Sequence, residues 1–336
     1  MSIFQNPLKD LESYAALSRR AEQAGGPLAV TGIADAAKAH LISSLCENSR
    51  RWKLVVSYDE GRAKELCDDC RCFSERAWLY PAKDLLFFAA DIRGHELSAA
   101  RIELWGHLME EPGGVVVTTI DALMDQLDTP EEFRASVFTI DESDRLDPQK
   151  FAEKLTALGY ERTAEVDGIG QFSIRGGIID FFPVTEELPV RIELWDTDID
   201  SIRSFDPESQ RSVERLQTVT VYPARERELG GSASFLRYFD LRDTLIFFDE
   251  PVRCEERARN IEQEFREGMA GRLASGQLTE AEIPQLFSAE EILEELKTEV
   301  TLCLSGLDAR FRSTESVNTF LSVQRLWHPS REALSF

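Results

Sequence analysis

Short apolar runs alternate with longer amphipathic stretches through the first third of the chain. Pro27-Leu28-Ala29-Val30-Thr31, Trp52-Lys53-Leu54-Val55-Val56-Ser57, Trp78-Leu79-Tyr80 and Gly114–Thr119 read as strands of the buried type. Leu8–Gln23, Asp35–Glu47, Glu60–Phe73 and Glu96–Met109 read as helices between them. Short apolar strands alternating with helices predict a parallel sheet covered on both faces.

The pattern changes from about residue 129. A helix near Pro148–Leu158 precedes strand-like runs at Gly170–Ile174, Ile178–Phe182, Pro189–Trp195, Ile199–Phe205 and Thr218–Val221, separated by short turns. That order predicts an inserted α+β domain with an antiparallel sheet. From 223 onward the first pattern returns. Leu245-Ile246-Phe247-Phe248 is a strand, Pro251 opens a long charged helix, Ala289–Lys297 is a shorter helix, and Val300–Leu304 is a further strand. The predicted division is therefore 1–128, 129–222 and 223–336.

Within the insertion, Val190, Ile192 and Leu194 alternate with Arg191, Glu193 and Trp195. Successive side chains of a strand point to opposite faces, so one face is aliphatic and the other carries Arg, Glu and Trp. Upstream, Phe172 and Ile174 are expected to point inward, and Gln171, Ser173 and Arg175 outward; Gly176-Gly177 then permits a bulge or tight turn. If both strands share a sheet, Arg175, Arg191 and Trp195 form one exposed patch, a composition enriched in binding hot spots. The pattern also allows Trp195 to be covered by another part of the chain and Arg191 to pair locally with Glu193 or Asp180.

Composition narrows the function classes. The 336 residues carry 38 Lys+Arg and 61 Asp+Glu, a net charge of −23. Such a chain repels phosphate backbones at long range, which disfavours non-specific DNA binding. No apolar run is long enough for a membrane span, and the first residues carry no basic-then-apolar leader, so a cytoplasmic protein is expected. The six cysteines, Cys46, Cys67, Cys70, Cys72, Cys254 and Cys303, are expected to be reduced thiols. The run Cys67-Asp68-Asp69-Cys70-Arg71-Cys72 lacks a nearby fourth ligand, so no metal is expected.

Two candidate phosphate motifs fail. Thr31-Gly32-Ile33-Ala34-Asp35-Ala36-Ala37-Lys38-Ala39 follows a strand and opens a helix, with Gly32 and Lys38 at P-loop spacing. Ala37 replaces the second glycine, Ala39 replaces the hydroxyl that holds Mg²⁺, and Asp35 adds a negative charge. Val137-Phe138-Thr139-Ile140-Asp141-Glu142-Ser143-Asp144 resembles a magnesium-binding acidic motif but reads as a strand leading into a polar turn. The scattered histidines, His40, His95, His107 and His328, form no triad. No cofactor and no catalytic residue are expected.

Three strings carry a family resemblance: Ser173-Ile174-Arg175-Gly176-Gly177-Ile178-Ile179-Asp180-Phe181-Phe182-Pro183, Val190-Arg191-Ile192-Glu193-Leu194-Trp195, and Ser204-Phe205-Asp206-Pro207-Glu208-Ser209-Gln210-Arg211. In order and spacing they resemble the second domain of the bacterial transcription-repair coupling factors (the Mfd family), and more loosely the matching domain of the repair helicase UvrB. The match is strongest over about 157–224. The resemblance implies a degenerate helicase-like, P-loop-type α/β domain split by an inserted domain that docks onto UvrA. It carries Arg175 and Arg191 over as binding arginines, puts Glu193 on the shared surface, and places Trp195 where Phe is usual. The segment Pro81–Glu96 is too short for the DNA-clamping hairpin of UvrB. The family further implies an RNA-polymerase-binding domain, a DNA translocase motor and a C-terminal domain that masks the docking face, none of which is in this sequence. The expectation is a monomeric, non-catalytic adaptor, a fragment of a longer protein. Reversing the charges of Arg175 and Arg191 is expected to abolish docking with little effect on stability. The rival readings are a UvrB-like ATP-dependent helicase fragment and a purely structural or autoinhibitory domain.

Overall fold

The computed structural model describes residues 12–23, 27–45, 52–83, 91–227, 230–277, 279, 283–297 and 301–306. In chain order the elements are α1 (Glu12–Gln23), β1 (Leu28–Thr31), α2 (Asp35–Ser44), β2 (Lys53–Ser57), α3 (Glu60–Arg71), β3 (Ala77–Tyr80), α4 (Asp91–Glu110), β4 (Val115–Thr119) and α5 (Ile120–Leu123). Next come α6 (Pro130–Ser136), β5 (Phe138–Asp141), α7 (Pro148–Ala157), β6 (Glu161–Arg162), β7 (Gln171–Arg175), β8 (Ile178–Phe181), β9 (Val190–Trp195), β10 (Asp198–Phe205), β11 (Ser212–Leu216) and β12 (Thr218–Val221). The chain continues through a 3₁₀ turn (Phe235–Tyr238), β13 (Leu245–Asp249), α8 (Pro251–Ala274), α9 (Ala289–Leu296) and β14 (Thr301–Ser305).

Two compact units result. The first comprises residues 1–88, 108–126 and 233–336, and the second residues 89–107 and 127–232. The first unit is built on a six-stranded sheet of order β1-β14-β13-β2-β4-β3, parallel at every pairing. β2, β4 and β13 are buried along their whole length, as expected of parallel strands covered on both faces. β13 and β14, from after the insertion, lie between β1 and β2 from before it. Neither flank could form this sheet alone. Val55, Val117, Phe247, Leu302 and Leu304 of the sheet pack with Leu41 and Ile42 of α2 and Leu66 of α3 into one apolar cluster. The Asp59 side chain accepts the Arg62 N–H, which starts α3 in the ordinary capped way.

The second unit holds a six-stranded sheet of order β11-β10-β9-β8-β7-β6, antiparallel apart from the two-residue parallel pairing of β6 with β7. Its covered face carries Phe172, Ile179, Phe181, Val190, Ile192 and Ile202, all essentially inaccessible. Phe151 of α7 meets Phe181 edge-on at 5.8 Å. β12 does not join this sheet; it pairs with β5 as a separate two-stranded ribbon. The run Phe138–Asp141 is thus a strand followed by a turn, with Asp141 accepting hydrogen bonds from Ser143. Helix α4 is tied to this unit by a buried ion pair, Arg101 Nε to Glu226 at 2.9 Å, and by Gly106, which faces the Tyr222 ring at a distance a larger residue would crowd. Among the described residues no helix is long and apolar enough to cross a membrane.

Candidate docking face

The outward face of the second sheet is assembled by register. Ser173, Asp180, Arg191 and Arg203 lie in one row across β7, β8, β9 and β10. Arg175, Ile178, Glu193 and Ser201 form the next row. Trp195 follows Glu193 on the same side of β9. β7 and β8 meet in a tight turn at Gly176-Gly177. Gly176 has φ +63°, and a Cβ on Gly177 would stand 2.8 Å from the Leu194 carbonyl oxygen, so glycine is needed at both positions.

Trp195 is 81% exposed, and the Arg175 side chain 46% exposed. Ile178 is also exposed, which adds an apolar residue between Arg175 and Glu193 that the sequence pattern did not single out. Ser173 departs from expectation. It is buried, because the segment before β7 folds over it and the Ala164 carbonyl accepts its hydroxyl hydrogen.

Asp180 organises the centre. Its side chain is 1% exposed. One carboxylate oxygen accepts Arg191 Nε at 2.6 Å; the other accepts Arg191 Nη2 at 2.9 Å and Arg175 Nη2 at 2.7 Å. Arg191 also donates to Gln210 at 2.8 Å and lies over the Phe205 ring at 4.4 Å. The bonds from Asp180 raise the Arg191 pKa still further above its ordinary value, against the opposing effect of burial. Glu193 accepts from Ser201 and pairs with Arg203 at 3.4 Å. Arg191 therefore has the local partner that its sequence position allowed, while Trp195 is uncovered within this unit. The expectation that charge reversal at Arg191 would spare stability is corrected by this pairing: a carboxylate there would face the buried carboxylate of Asp180.

The P-loop-like segment lies in the first unit. Gly32 has φ +73°, Ala37 is partly buried and Ala39 buried. Lys38 is fully buried, and its Nζ reaches Asp249 at 2.6 Å, Glu250 at 2.8 Å and Asp35 at 3.0 Å. Burial alone would lower its pKa, but the bonds to Asp249 and Glu250 outweigh burial and hold it raised. Arg62 closes the cluster through Asp249 and Asp35. Asp35, Asp249 and Glu250 are the one acidic group among the described residues with a spacing that could hold a metal. The Lys38 ammonium stands among them and supplies the positive charge instead. The acidic pair that meets the P-loop-like lysine is Asp249-Glu250, at the end of the apolar strand β13, and not the Asp141-Glu142 of the motif that resembles a magnesium site.

Cys67 and Cys70 lie on the buried face of α3, where burial pushes their thiols up to about 11 and about 12, and Cys72 is exposed. Cys46, His95, His328 and most of the segment 81–96 lie outside the residues whose side chains are described.

Residues 138–226 match the family model of the UvrB interaction domain. The chain is 31% identical over 228 residues to the transcription-repair-coupling factor of Bacillus subtilis strain 168, which covers 67% of this chain and 19% of that protein. It is 33% identical over 199 residues to the same-named protein of Staphylococcus aureus strain bovine RF122, covering 59% of this chain and 17% of that protein. The chain spans about a fifth of the length of the curated relatives it matches.

Proposed function

Proceeding from a chain that is homologous to transcription-repair-coupling factors and has a UvrB interaction domain, we propose that it is a non-catalytic docking module that brings UvrA to an RNA polymerase stalled at DNA damage. The observation that carries this reading is the outward face of the second sheet, where the half-exposed guanidinium of Arg175 on β7 and the exposed indole of Trp195 on β9 stand on the same side, with β8 between them. An exposed Trp on a rigid strand provides a large contact area at little entropic cost, and Arg offers a planar fork for a carboxylate. Glu193 and Arg191 complete the face. RNA polymerase and DNA are engaged through domains outside this sequence, and the C-terminal domain of the longer protein masks the face until it is needed. The helicase-like ancestry of the parallel-sheet unit belongs to the same proposal, as do its division at 128/129 and 222/223 and its cytoplasmic, monomeric state.

The test is a titration of the purified chain with UvrA from the same organism. Trp195→Ala and Arg175→Glu should each weaken binding by about 2 kcal/mol, roughly thirtyfold. Trp195 is 81% exposed, so Trp195→Ala should leave the unfolding free energy within about 0.5 kcal/mol of the parent chain, whereas Arg175→Glu also removes a bond to the buried Asp180 and should cost about 1 kcal/mol or more while leaving the chain folded. Undiminished binding by both variants would remove the face from consideration. Binding of a separate C-terminal fragment, with no affinity for UvrA, would favour the autoinhibitory reading.

A further inference from the structure

The docking face contains a buried carboxylate that cannot itself touch a partner. Asp180 is 1% exposed, yet three of the guanidinium N–H bonds on this face end on it. Its two arginines are held differently. Arg191 is fixed: two nitrogens on Asp180, a further bond to Gln210, and Phe205 beneath its plane. Arg175 is tethered by one nitrogen only, and its side chain is half exposed. Its Nε and Nη1 meet no acceptor among the described residues and Nη2 has a second N–H, so one two-donor edge of its planar group is left free.

From this difference we infer that Asp180 is the positioning residue of the docking face, holding Arg175 so that its free two-donor edge is presented to a carboxylate of the partner. The inference rests on the docking function proposed above and names the chemistry of its recognition. A tethered guanidinium has already lost much of its rotamer freedom, so less is lost on binding. A two-point Arg–carboxylate contact needs that orientation, because both N–H bonds must align at once. Trp195, two residues beyond Glu193 on the same face, offers an apolar surface beside the charged contact. The surface that fits is an acidic side chain next to an exposed apolar one. An apolar or basic surface would leave the free edge of Arg175 unsatisfied on burial.

The experiment compares UvrA binding by the whole chain and by D180N, D180E, R175Q and the double variant D180N/R175Q, with thermal unfolding of each measured in parallel. Affinities are read at a temperature at which every variant is folded. D180N keeps the shape and removes the charge; it should weaken binding about tenfold or more. D180E, which restores a carboxylate on a longer arm, should recover part of the loss. In the R175Q background D180N should cost clearly less than it does alone, because the guanidinium it positions is gone. Two results would overturn the inference: D180N binding like the parent chain, or D180N costing the same with and without Arg175. The second would mean that the carboxylate serves the fold and not the contact. If R175Q binds UvrA like the parent chain, Arg175 makes no contact and the inference falls; if Trp195→Ala also binds undiminished, the docking face itself is misassigned.

Discussion

Arg191 shows how a single pairing changes the meaning of a substitution. The alternation of β9 places it outward, and it is outward, but its side chain is only 15% exposed because Asp180 and Gln210 hold it down. Arg191→Glu would set two carboxylates against each other in a nearly closed site. We expect a loss of about 3 kcal/mol or more in urea unfolding, since breaking a buried ion pair leaves an uncompensated charge. Reversal at Arg191 is therefore a test of folding, reversal at half-exposed Arg175 perturbs both folding and docking, and Trp195→Ala, which breaks no bond to Asp180, is the cleaner test of docking. Trp195 was legible from the sequence, because a period-two pattern assigns sides. The clamp at Asp180 was legible only as one of two local partners for Arg191. The register of β8 against β9, which sets Asp180 opposite Arg191, was needed to choose it over Glu193.

Helix α6 and strand β11 are two of the elements that the apolar pattern did not reveal. Helix α6 is short and buries Phe133 alone, so it has no periodic stripe, but it carries a complete capping box. The Thr129 side chain accepts the Glu132 N–H at 3.2 Å, and Glu132 accepts the Thr129 N–H at 2.8 Å. Thr129→Ala should cost about 1 kcal/mol at neutral pH. Those bonds from the Thr129 backbone and side chain hold Glu132 below its ordinary 4.5. A depressed folded-state pKa stabilises above the unfolded value and is lost as pH falls through the folded one. The penalty of Thr129→Ala, read by urea unfolding, should therefore shrink as pH drops below 4.5. A penalty unchanged in acid would show that Glu132's charge does not contribute. β11 is exposed over nearly all of its length, with Val213 in solvent, so no alternation marks it. It is the outermost strand of its sheet and is fixed by pairing with β10, a contact that only the folded chain supplies.

At the scale of the whole chain, the P-loop-like segment bears on what the molecule can do. Lys38, the residue that would meet a phosphate, is saturated by Asp249, Glu250 and Asp35 inside the first unit. Releasing it would leave Asp249, which is fully buried, with Arg62 alone. We expect millimolar Mg-ATP to leave the melting temperature of the chain unchanged, because a ligand stabilises a fold only to the extent that it binds the folded state. A concentration-dependent rise would revive the rival reading of a nucleotide-dependent helicase fragment. Net charge of −23 acts in the same direction, opposing polyphosphate at long range.

The amino-acid order by itself determined the alternation of buried strands and helices, the change of pattern in the insertion, the side on which Trp195 and Arg175 stand, and the defects at Ala37 and Ala39. Each of these follows from local periodicity or from the size of one side chain. The tertiary structure alone decided that β13 and β14 enter the sheet between β1 and β2, and that β12 leaves the antiparallel sheet to pair with β5. It also decided that α4 is tied to the insertion through Arg101 and Glu226, that Asp249-Glu250 lies on Lys38, and that Asp180 gathers both arginines. Those are contacts between residues far apart in sequence or on different strands. Periodicity assigns a side chain to a face, and only strand order and register assign it a partner.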